Sequence, residues 1–238
     1  MARQAVIITG SARRIGAALA LYFAHHGYDI GLHYHRSAPD AKKLAKKIEA
    51  LGGTCKIFPH DLSDIKGIPP LMKKIKTALP HCAALINNAS LFERAEFMET
   101  DEALFDRQFA VNFKAPFFLT QDFAKTFHKG CVINIADSEI VHTHGSHFAY
   151  LLSKKALADF TLMAARALGP KIRVNAVCPG CIIPVNEKDE SYEKKMTKII
   201  PTRSHPSLDE LSEAVRWLMD QGHVTGQVIY VDGGKHVL

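Results

Sequence analysis

The sequence has few cysteines and no long hydrophobic run. Its five cysteines are an odd, scattered set, which argues against a disulfide framework and is typical of a reduced cytoplasmic protein. No segment reaches the roughly 18 consecutive apolar residues that a membrane-spanning helix needs. The first residues run directly into a predicted strand, without the pattern of an export signal. We therefore expect a cytoplasmic protein that has no membrane partner.

Features that would indicate other classes of protein are also missing. The chain has no internal repeat, no low-complexity tract and no nucleic-acid recognition motif. Cys178 and Cys181 form a C-x-x-C pair, but a second such pair is absent. Because a zinc site needs further ligands, we interpret this pair as part of an ordinary loop.

The charge balance is mildly basic, at +6, from 30 lysines and arginines against 24 acidic residues. Lysines such as Lys42, Lys43, Lys46 and Lys47 are spaced as on the solvated face of a helix. We therefore expect no nucleic-acid partner, and the excess suits an anionic cofactor. With 238 residues, 47% of them hydrophobic, the chain suits a single α/β domain over residues 1–238.

Seven short apolar runs, rich in β-branched residues, alternate with longer stretches of helical period. The predicted strands are residues 5–9, 30–34, 54–58, 84–87, 131–135, 173–177 and 227–231. The predicted helices lie near residues 15–26, 40–51, 64–79, 102–128, 149–168 and 207–220. Strands that are continuously apolar are buried on both faces. The order therefore predicts a doubly wound, Rossmann-type parallel sheet of seven strands with helices on both faces.

One stretch of unclear structure, residues 180–206, is polar and charged in its middle part. In such a sheet it follows the carboxyl end of the sixth strand, where ligands bind. We interpret this segment as a mobile lid, or substrate loop, over the site.

A glycine-containing turn follows the first predicted strand. Gly10 permits a tight turn, and Gly16 lets the next helix pack closely on the strand. The N-terminus of that helix would face a pyrophosphate. The turn therefore predicts a dinucleotide site.

The end of the second predicted strand indicates which dinucleotide binds. An NAD site would place an acidic residue here to hold the ribose hydroxyls. Residues 33–37 (H-Y-H-R-S) contain no acid. Arg36 and Ser37 can instead hydrogen-bond a 2′-phosphate, the arginine with two parallel bonds. The expected cofactor is NADP(H).

Tyr150 and Lys154 lie at the start of the helix that follows the fifth predicted strand. Residues four apart share a helix face, so the phenol and the ammonium can point into one site. Two unit charges about 4 Å apart at an effective dielectric constant near 20 interact by roughly 4 kcal/mol. Lys154 is therefore expected to lower the pKa of Tyr150 towards neutrality, which would make Tyr150 a usable proton donor.

Taken together, these features resemble the short-chain dehydrogenase/reductase family along the whole chain. The family pattern is further matched at residues 61–62 (D-L), which the resemblance implies contact the adenine, and at residues 87–89 (N-N-A), 112 (N), 179–180 (P-G) and 232–234 (D-G-G). The resemblance implies that Tyr150 donates a proton, that Lys154 holds the nicotinamide ribose and that Asn112 anchors a proton-relay water. It also implies a homotetramer.

The chain departs from the family pattern at several positions. Arg14 stands in place of the middle glycine of the turn, and Ser90 in place of the glycine after residues 87–89. Asp137 occupies the position of the catalytic serine, with Ser138 one place off. These departures, like residues 33–37, resemble the pteridine reductases and bacterial dihydromonapterin reductases. The family's usual threonine shortly after the P-G pair is missing, so the contact to the nicotinamide carboxamide is unassigned.

The carboxyl group at position 137 favours one type of chemistry. Reduction of a ketone develops negative charge on oxygen, which a serine stabilises by donating a hydrogen bond. A carboxylate at that place would repel the oxyanion. Reduction of a C=N bond instead needs a proton on nitrogen, which a nearby carboxyl group can deliver. Asp137 therefore favours reduction of an imine in a nitrogen-rich ring.

The resemblance to pteridine reductases assigns roles to two further residues. It implies that Phe92 covers a pterin opposite the nicotinamide and that Arg14 reaches substrate and cofactor phosphate. The alternative interpretation is that Phe92 belongs to the hydrophobic core and that Arg14 is a solvated surface residue. The expected catalytic residues are Asn112, Asp137, Tyr150 and Lys154. The expected cofactor contacts are Gly10, Arg13, Arg14, Ile15, Tyr34, His35, Arg36, Ser37, Asp61, Leu62, Asn88, Ala89, Ser90, Tyr150, Lys154, Pro179 and Gly180. The expected substrate contacts are Arg14, Ser90, Phe92, Asp137 and Tyr150.

Three histidines, His142, His144 and His147, lie in the loop before Tyr150. Hydride transfer requires no metal, and the family's chemistry uses none, so we expect no metal site.

The leading functional hypothesis is reduction of a dihydropterin, or of dihydrofolate, to its tetrahydro form. The second is a carbonyl reductase of the 3-oxoacyl-carrier-protein type, against which Asp137 and Phe92 argue. The third is a non-catalytic NADP(H) sensor, which would have no need of both Tyr150 and Lys154.

Overall fold

A computed structural model describes residues 3–143, 145–183 and 197–238. His144 and residues 184–196 of the predicted lid lie outside the described residues. The lid over residues 180–206 therefore stays a prediction.

The strands form one fully parallel, seven-stranded sheet in the order β3-β2-β1-β4-β5-β6-β7. Their bounds are β1 Ala5–Ile8, β2 Asp29–Tyr34, β3 Cys55–Pro59, β4 Cys82–Asn87, β5 Gly130–Ile135, β6 Ile172–Pro179 and β7 Val228–Val231. The order reverses between β1 and β4, which creates a crevice at the carboxyl ends of these strands. The predicted doubly wound architecture is confirmed.

Helices cover both faces of the sheet. Their bounds are α1 Arg14–His25, α2 Ala38–Ala50, α3 Ile68–Ala78, α4 Glu102–Phe109, α5 Ala115–Phe127, α6 Phe148–Leu168 and α7 Leu208–Asp220. One core contains buried residues of α1, α2 and α7, and the other contains residues of α3, α5 and α6. Alternate residues of β1 enter opposite cores: Val6 and Ile8 enter the first, Ala5 and Ile7 the second. Burial on both faces explains why the strands are continuously apolar.

Two predicted helices are interrupted in the structure. The helix predicted over 102–128 is divided by a π-helical turn at Ala110–Lys114, and α5 then starts with a proline in its first turn. The helix predicted over 64–79 begins as a 3₁₀ turn at Ile65–Gly67 before α3, which also carries a proline in its first turn. Proline lacks a backbone N–H, so it is tolerated where a helix starts and not in its interior.

Within the described ranges, no helix combines the length and the apolar character that crossing a membrane requires.

Candidate active site

The turn after β1 has the geometry of a phosphate-binding loop. Gly10 adopts φ +61°, and a Cβ added to it would lie 2.8 Å from the Cα of Ala89. A Cβ on Gly16 would lie 2.5 Å from the carbonyl oxygen of Gly10 and 2.6 Å from Asn88 Nδ2. Both positions therefore need glycine, and the N-terminus of α1 is left close to the crevice. These residues fit a dinucleotide pyrophosphate, as the sequence predicts.

The loop after β4 is joined to this turn. Thr9 Oγ1 accepts hydrogen bonds from the backbone N–H groups of Asn88 (2.9 Å) and Ala89 (3.0 Å). Asn88 Nδ2 donates to the carbonyl oxygen of Thr9 at 2.9 Å. The two loops on either side of the crevice therefore form one hydrogen-bonded unit.

Arg14 adopts a backbone conformation that favours glycine. Its φ is +52°, which is uncommon for a residue with a side chain and costs roughly 1–2 kcal/mol. This position is the one at which the family has its middle glycine. The guanidinium of Arg14 donates to the carbonyl oxygen of Ile183 at 2.9 Å. Arg14 therefore connects the glycine turn with the segment that follows β6.

The segment after β2 presents polar side chains to solvent. His35 and Arg36 are exposed, and Ser37, which precedes α2, is half-buried. His35 Nε2 lies 3.4 Å from Asp61 Oδ2. Hydrogen bonds from the backbone and hydroxyl of Ser63 hold the pKa of Asp61 below its usual range. The residues expected to contact the 2′-phosphate and the adenine therefore lie next to each other.

Other expected cofactor contacts have intramolecular partners. Arg13 pairs with Asp40 at 2.6 Å, so its guanidinium is already shared with a carboxylate. Ile15 and Tyr34 pack against one core, and Leu62 is buried in the other. Any contact of these three residues with a dinucleotide would involve their backbone or the exposed part of the side chain.

Asp137 and Tyr150 form a short hydrogen bond. Tyr150 Oη donates to Asp137 Oδ2 at 2.5 Å, and Asp137 Oδ1 accepts from the backbone N–H of Glu139 at 2.9 Å. Tyr150 is buried, and its pKa is raised well above its ordinary value by burial first and then by the negative charge of Asp137. The phenol is therefore protonated and shares its proton with a carboxylate.

Lys154 is buried below this pair. Its Nζ donates to the carbonyl oxygen of Ile135 at 2.7 Å and lies 5.8 Å from the centroid of the Tyr150 ring. Burial lowers the pKa of Lys154 to about 8, and the charge of Asp137 acts in the opposite direction. The expectation that Lys154 lowers the pKa of Tyr150 is wrong for this arrangement. The nearer charge is the carboxylate of Asp137, which stabilises the neutral phenol.

Asn112, in the π-helical turn, fixes the loop after β4. Its Oδ1 accepts from the backbone N–H of Leu91 (2.8 Å) and the hydroxyl of Ser90 (3.2 Å). Its Nδ2 donates to the carbonyl oxygen of Leu91 (2.9 Å) and to Ser153 Oγ (3.1 Å). The side chain of Asn112 is thus bound to protein groups, so an anchored water would have to use its backbone. Such turns are frequent at functional sites.

Phe92 lies at the mouth of the crevice with 48% of its surface exposed. One ring stacks on it in parallel, that of His147, at a centroid distance of 4.2 Å. The Tyr150 ring is perpendicular to it at 4.7 Å. Phe92 is therefore an exposed aromatic surface beside the Asp137–Tyr150 pair. The alternative interpretation, that Phe92 belongs to the hydrophobic core, is wrong.

The end of β6 and the residue after it complete the edge of the crevice. Pro179, the last residue of β6, is buried, and Gly180 donates its N–H to the carbonyl oxygen of Val231 at 2.9 Å. Burial raises the pKa of the Cys178 thiol to about 12. Cys178 lies within β6 and only Cys181 lies after it, so the expectation that the C-x-x-C pair belongs to a loop holds for its second cysteine alone. Among the residues that the structure describes, no cluster of histidine, cysteine or acidic side chains could hold a metal.

Two residues at the site were missed by the sequence analysis. Gln108 is fully buried, and its Nε2 donates to the carbonyl oxygen of Glu93 at 2.9 Å. Its spacing of four residues before Asn112 would have placed both on one helix face. His33 is the second, and its contacts connect several loops of the crevice. No spacing rule indicates that a histidine inside a strand turns towards the glycine loop.

Comparison with known proteins places this geometry in a family. A family model described as enoyl-(acyl carrier protein) reductase matches residues 10–236. The oxidoreductase YohF of Escherichia coli K12 is 33% identical over 97% of this chain and 95% of its own length. Dihydromonapterin reductase of Enterobacter sp. strain 638 is 27% identical over 97% of this chain and 95% of its own.

A solved structure shows the same fold. The FolM alternative dihydrofolate reductase 1 of Brucella canis, complexed with NADP, is 36% identical to this chain and superposes with a TM-score of 0.91. The match covers 99% of this chain and 95% of that chain.

Proposed function

The chain belongs to the short-chain dehydrogenase/reductase family, and we propose that it reduces a dihydropterin to the tetrahydro form with NADPH. The substrate is of the dihydrobiopterin or dihydromonapterin type, or dihydrofolate. The single observation that carries the proposal is the 2.5 Å hydrogen bond between Tyr150 and Asp137. It places a carboxyl group and a protonated phenol together at the edge of the dinucleotide crevice.

The polar residues of the site supply and hold a proton. When bound, NADPH supplies the hydride. Reduction of a C=N bond then requires one proton at the ring nitrogen. Tyr150 Oη carries that proton and shares it with Asp137 Oδ2, so the pair can release it to the nitrogen and recover one from solvent. Lys154, held by the carbonyl oxygen of Ile135, places a positive charge beneath the carboxylate.

The same pair argues against reduction of a ketone. An oxyanion that develops beside the Asp137 carboxylate would be repelled rather than stabilised. The neighbouring Ser138 is buried and does not replace a serine at position 137. For this reason the carbonyl reductase remains the second candidate.

A flat substrate is supported by the exposed Phe92 ring. Aromatic pairs contribute roughly 0.5–1.5 kcal/mol beyond the area that they bury. A pterin stacked on Phe92 would lie within reach of Tyr150, whose ring contacts Phe92. Arg14, close to the glycine turn, would supply a positive charge to the same space.

We expect Phe92→Ala to weaken binding of a 2,4-diaminopteridine antifolate to the NADPH complex by roughly two- to tenfold through lost stacking alone. NADPH affinity should stay nearly unchanged, because Phe92 lies outside the glycine turn. Phe97→Ala is the matched control, since Phe97 is exposed on the same loop and contacts Phe148 instead. Calorimetry on the three proteins measures both affinities. Equal antifolate affinities for Phe92→Ala and Phe97→Ala would contradict the stacking role.

Preference for NADPH over NADH is expected to depend on Arg36. One charge-assisted hydrogen bond contributes roughly 1.5–3 kcal/mol, so Arg36→Ala should reduce the ratio of the two kcat/KM values by about ten- to a hundredfold. The NADH value itself should change little. Arg166→Ala, which removes an exposed cation at the end of α6, is the control. Equal kcat/KM for both cofactors in the unmodified protein would contradict the assignment of NADPH.

The proposed reaction is tested by following loss of NADPH absorbance with dihydropterins, dihydrofolate and β-ketoacyl thioesters. Rapid turnover of a dihydropterin is the expected result. Turnover confined to the thioesters would assign the protein to the carbonyl reductases. Tight NADPH binding without turnover of any substrate would favour the sensor hypothesis.

We further propose that the protein acts as a cytoplasmic homotetramer, without nucleic-acid or membrane partners. Exposed apolar side chains along α4, α5 and α6 support an association between copies. They include Phe105, Phe117, Leu162 and Met163.

A further inference from the structure

His33, at the end of β2, is a buried histidine that the proposed proton transfer does not use. Its side chain has a relative exposure of 2%. Nδ1 lies 3.1 Å from the backbone nitrogen of Gly10, and Nε2 lies 3.0 Å from the carbonyl oxygen of His60. The imidazole therefore bridges the glycine turn and the end of β3.

These two partners fix the tautomer of His33. The backbone N–H of Gly10 can only donate, so Nδ1 must be the unprotonated acceptor. The carbonyl oxygen of His60 can only accept, so Nε2 must carry the hydrogen. Only the neutral imidazole satisfies both partners. A second proton on Nδ1 would break the bond to Gly10.

The backbone around His33 extends the connection. Ser11 N–H donates to the carbonyl oxygen of His33 at 2.9 Å, and His60 N–H donates to that of Tyr34 at 3.0 Å. Position 33 thus contacts the glycine turn through both side chain and backbone. The residues expected at the 2′-phosphate follow directly at 35–37, and those expected at the adenine follow His60.

We propose that His33 is a positioning residue for cofactor binding, which acts through Gly10 to hold the glycine turn, the 2′-phosphate segment and the adenine segment in register. This inference rests on the proposed use of NADPH. It adds a requirement that the glycine pattern does not contain, namely a neutral hydrogen-bond acceptor behind the turn.

The surroundings keep His33 neutral. Burial lowers its pKa to about 4, with His35 and His60 acting in the same direction and Asp61 and the carbonyl of His60 opposing them. The ordinary pKa of histidine is about 6.5. Because the unfolded chain binds the proton first, the free energy of unfolding should fall as the pH decreases from about 6.5 to about 4. The bridge itself persists until the folded protein is protonated near pH 4.

The test compares NADPH affinity in two variants of the full chain by calorimetry. His33→Leu leaves the partly buried Gly10 N–H without its acceptor and should weaken NADPH binding by roughly ten- to a hundredfold. His33→Gln, whose amide offers an acceptor and a donor, should restore most of the affinity. Asp29→Asn is the matched control, because Asp29 lies at the other end of β2 and bonds to Thr54 and His81. It should lower the melting temperature without weakening NADPH binding.

The outcomes separate this inference from the proposed function. Unmodified protein that does not bind NADPH would overturn the proposed function. Tight binding by unmodified protein and by His33→Leu alike would overturn the positioning role alone. If His33→Leu does not fold, the NADP⁺ affinities of the unmodified protein and of His33→Gln are measured instead, at several pH values between 7 and 4. The affinity of unmodified protein relative to His33→Gln should fall as the pH approaches 4, and a constant ratio would contradict the inference.

Discussion

Replacing Tyr150 by phenylalanine, or Asp137 by serine, should lower kcat for a dihydropterin by about 10²–10⁴-fold, the usual contribution of general acid catalysis. The two residues share one proton across 2.5 Å, so removal of either one disables the donor. Affinity for NADPH should change little in Asp137→Ser, because the carboxylate bonds to Tyr150 and to the backbone of Glu139. Single-turnover kinetics with saturating NADPH measures the loss at the proton-transfer step.

A double variant sharpens this prediction. Because Tyr150 and Asp137 act as one unit, Tyr150→Phe/Asp137→Ser should be only slightly slower than either single variant. Tyr22→Phe, in α1 and packed on Phe23, serves as the control for loss of a phenol. Full pterin activity in Asp137→Ser would contradict the argument for C=N reduction.

Lys154→Met should reduce kcat/KM by about 10²–10³-fold, the range for removing one preorganised electrostatic group. The ammonium is buried and bonded to the carbonyl oxygen of Ile135, so no nearby solvent cation replaces it. Its pKa of about 8 means that Lys154 is charged below pH 8 and neutral above. In unmodified protein kcat/KM should therefore decrease as the pH rises through about 8.

An exposed lysine provides the control for Lys154→Met. Lys171→Met removes an exposed ammonium just before β6 and should leave the pH profile unchanged. A Lys154→Met variant that keeps both the rate and the decrease near pH 8 would show that another group produces the profile.

The sheet could be predicted from the sequence because its cause is local. Each strand is a short apolar run, and each crossover is long enough for a helix, which forces parallel pairing. The glycine turn could be predicted because Gly10 and Gly16 follow the first apolar run directly, whereas the collision with Ala89 that requires glycine at position 10 is visible only in the structure. The prediction of Phe92 as an exposed ring depended on the resemblance to a family and not on periodicity.

The protonation state of the site could not be predicted in this way. The i, i+4 spacing places Tyr150 and Lys154 on one helix face but does not show that Asp137, from another element, lies nearer to the phenol. The role of His33 likewise depends on contacts with two segments far away in the sequence. The break of the predicted 102–128 helix, by contrast, has a local signal that the prediction did not use, since Pro116 stands in the first turn of α5.

The central claim, hydride transfer to a C=N bond of a dihydropterin, is tested most directly with NADPH that carries deuterium at the transferable position. The protein is incubated with this cofactor, a dihydropterin and a β-ketoacyl thioester in competition, and the products are identified by mass and NMR spectroscopy. The expected product is a tetrahydropterin with one deuterium on the former imine carbon, formed in preference to a labelled alcohol. Deuterium found on the alcohol carbon of the thioester, with the dihydropterin unchanged, would contradict the claim.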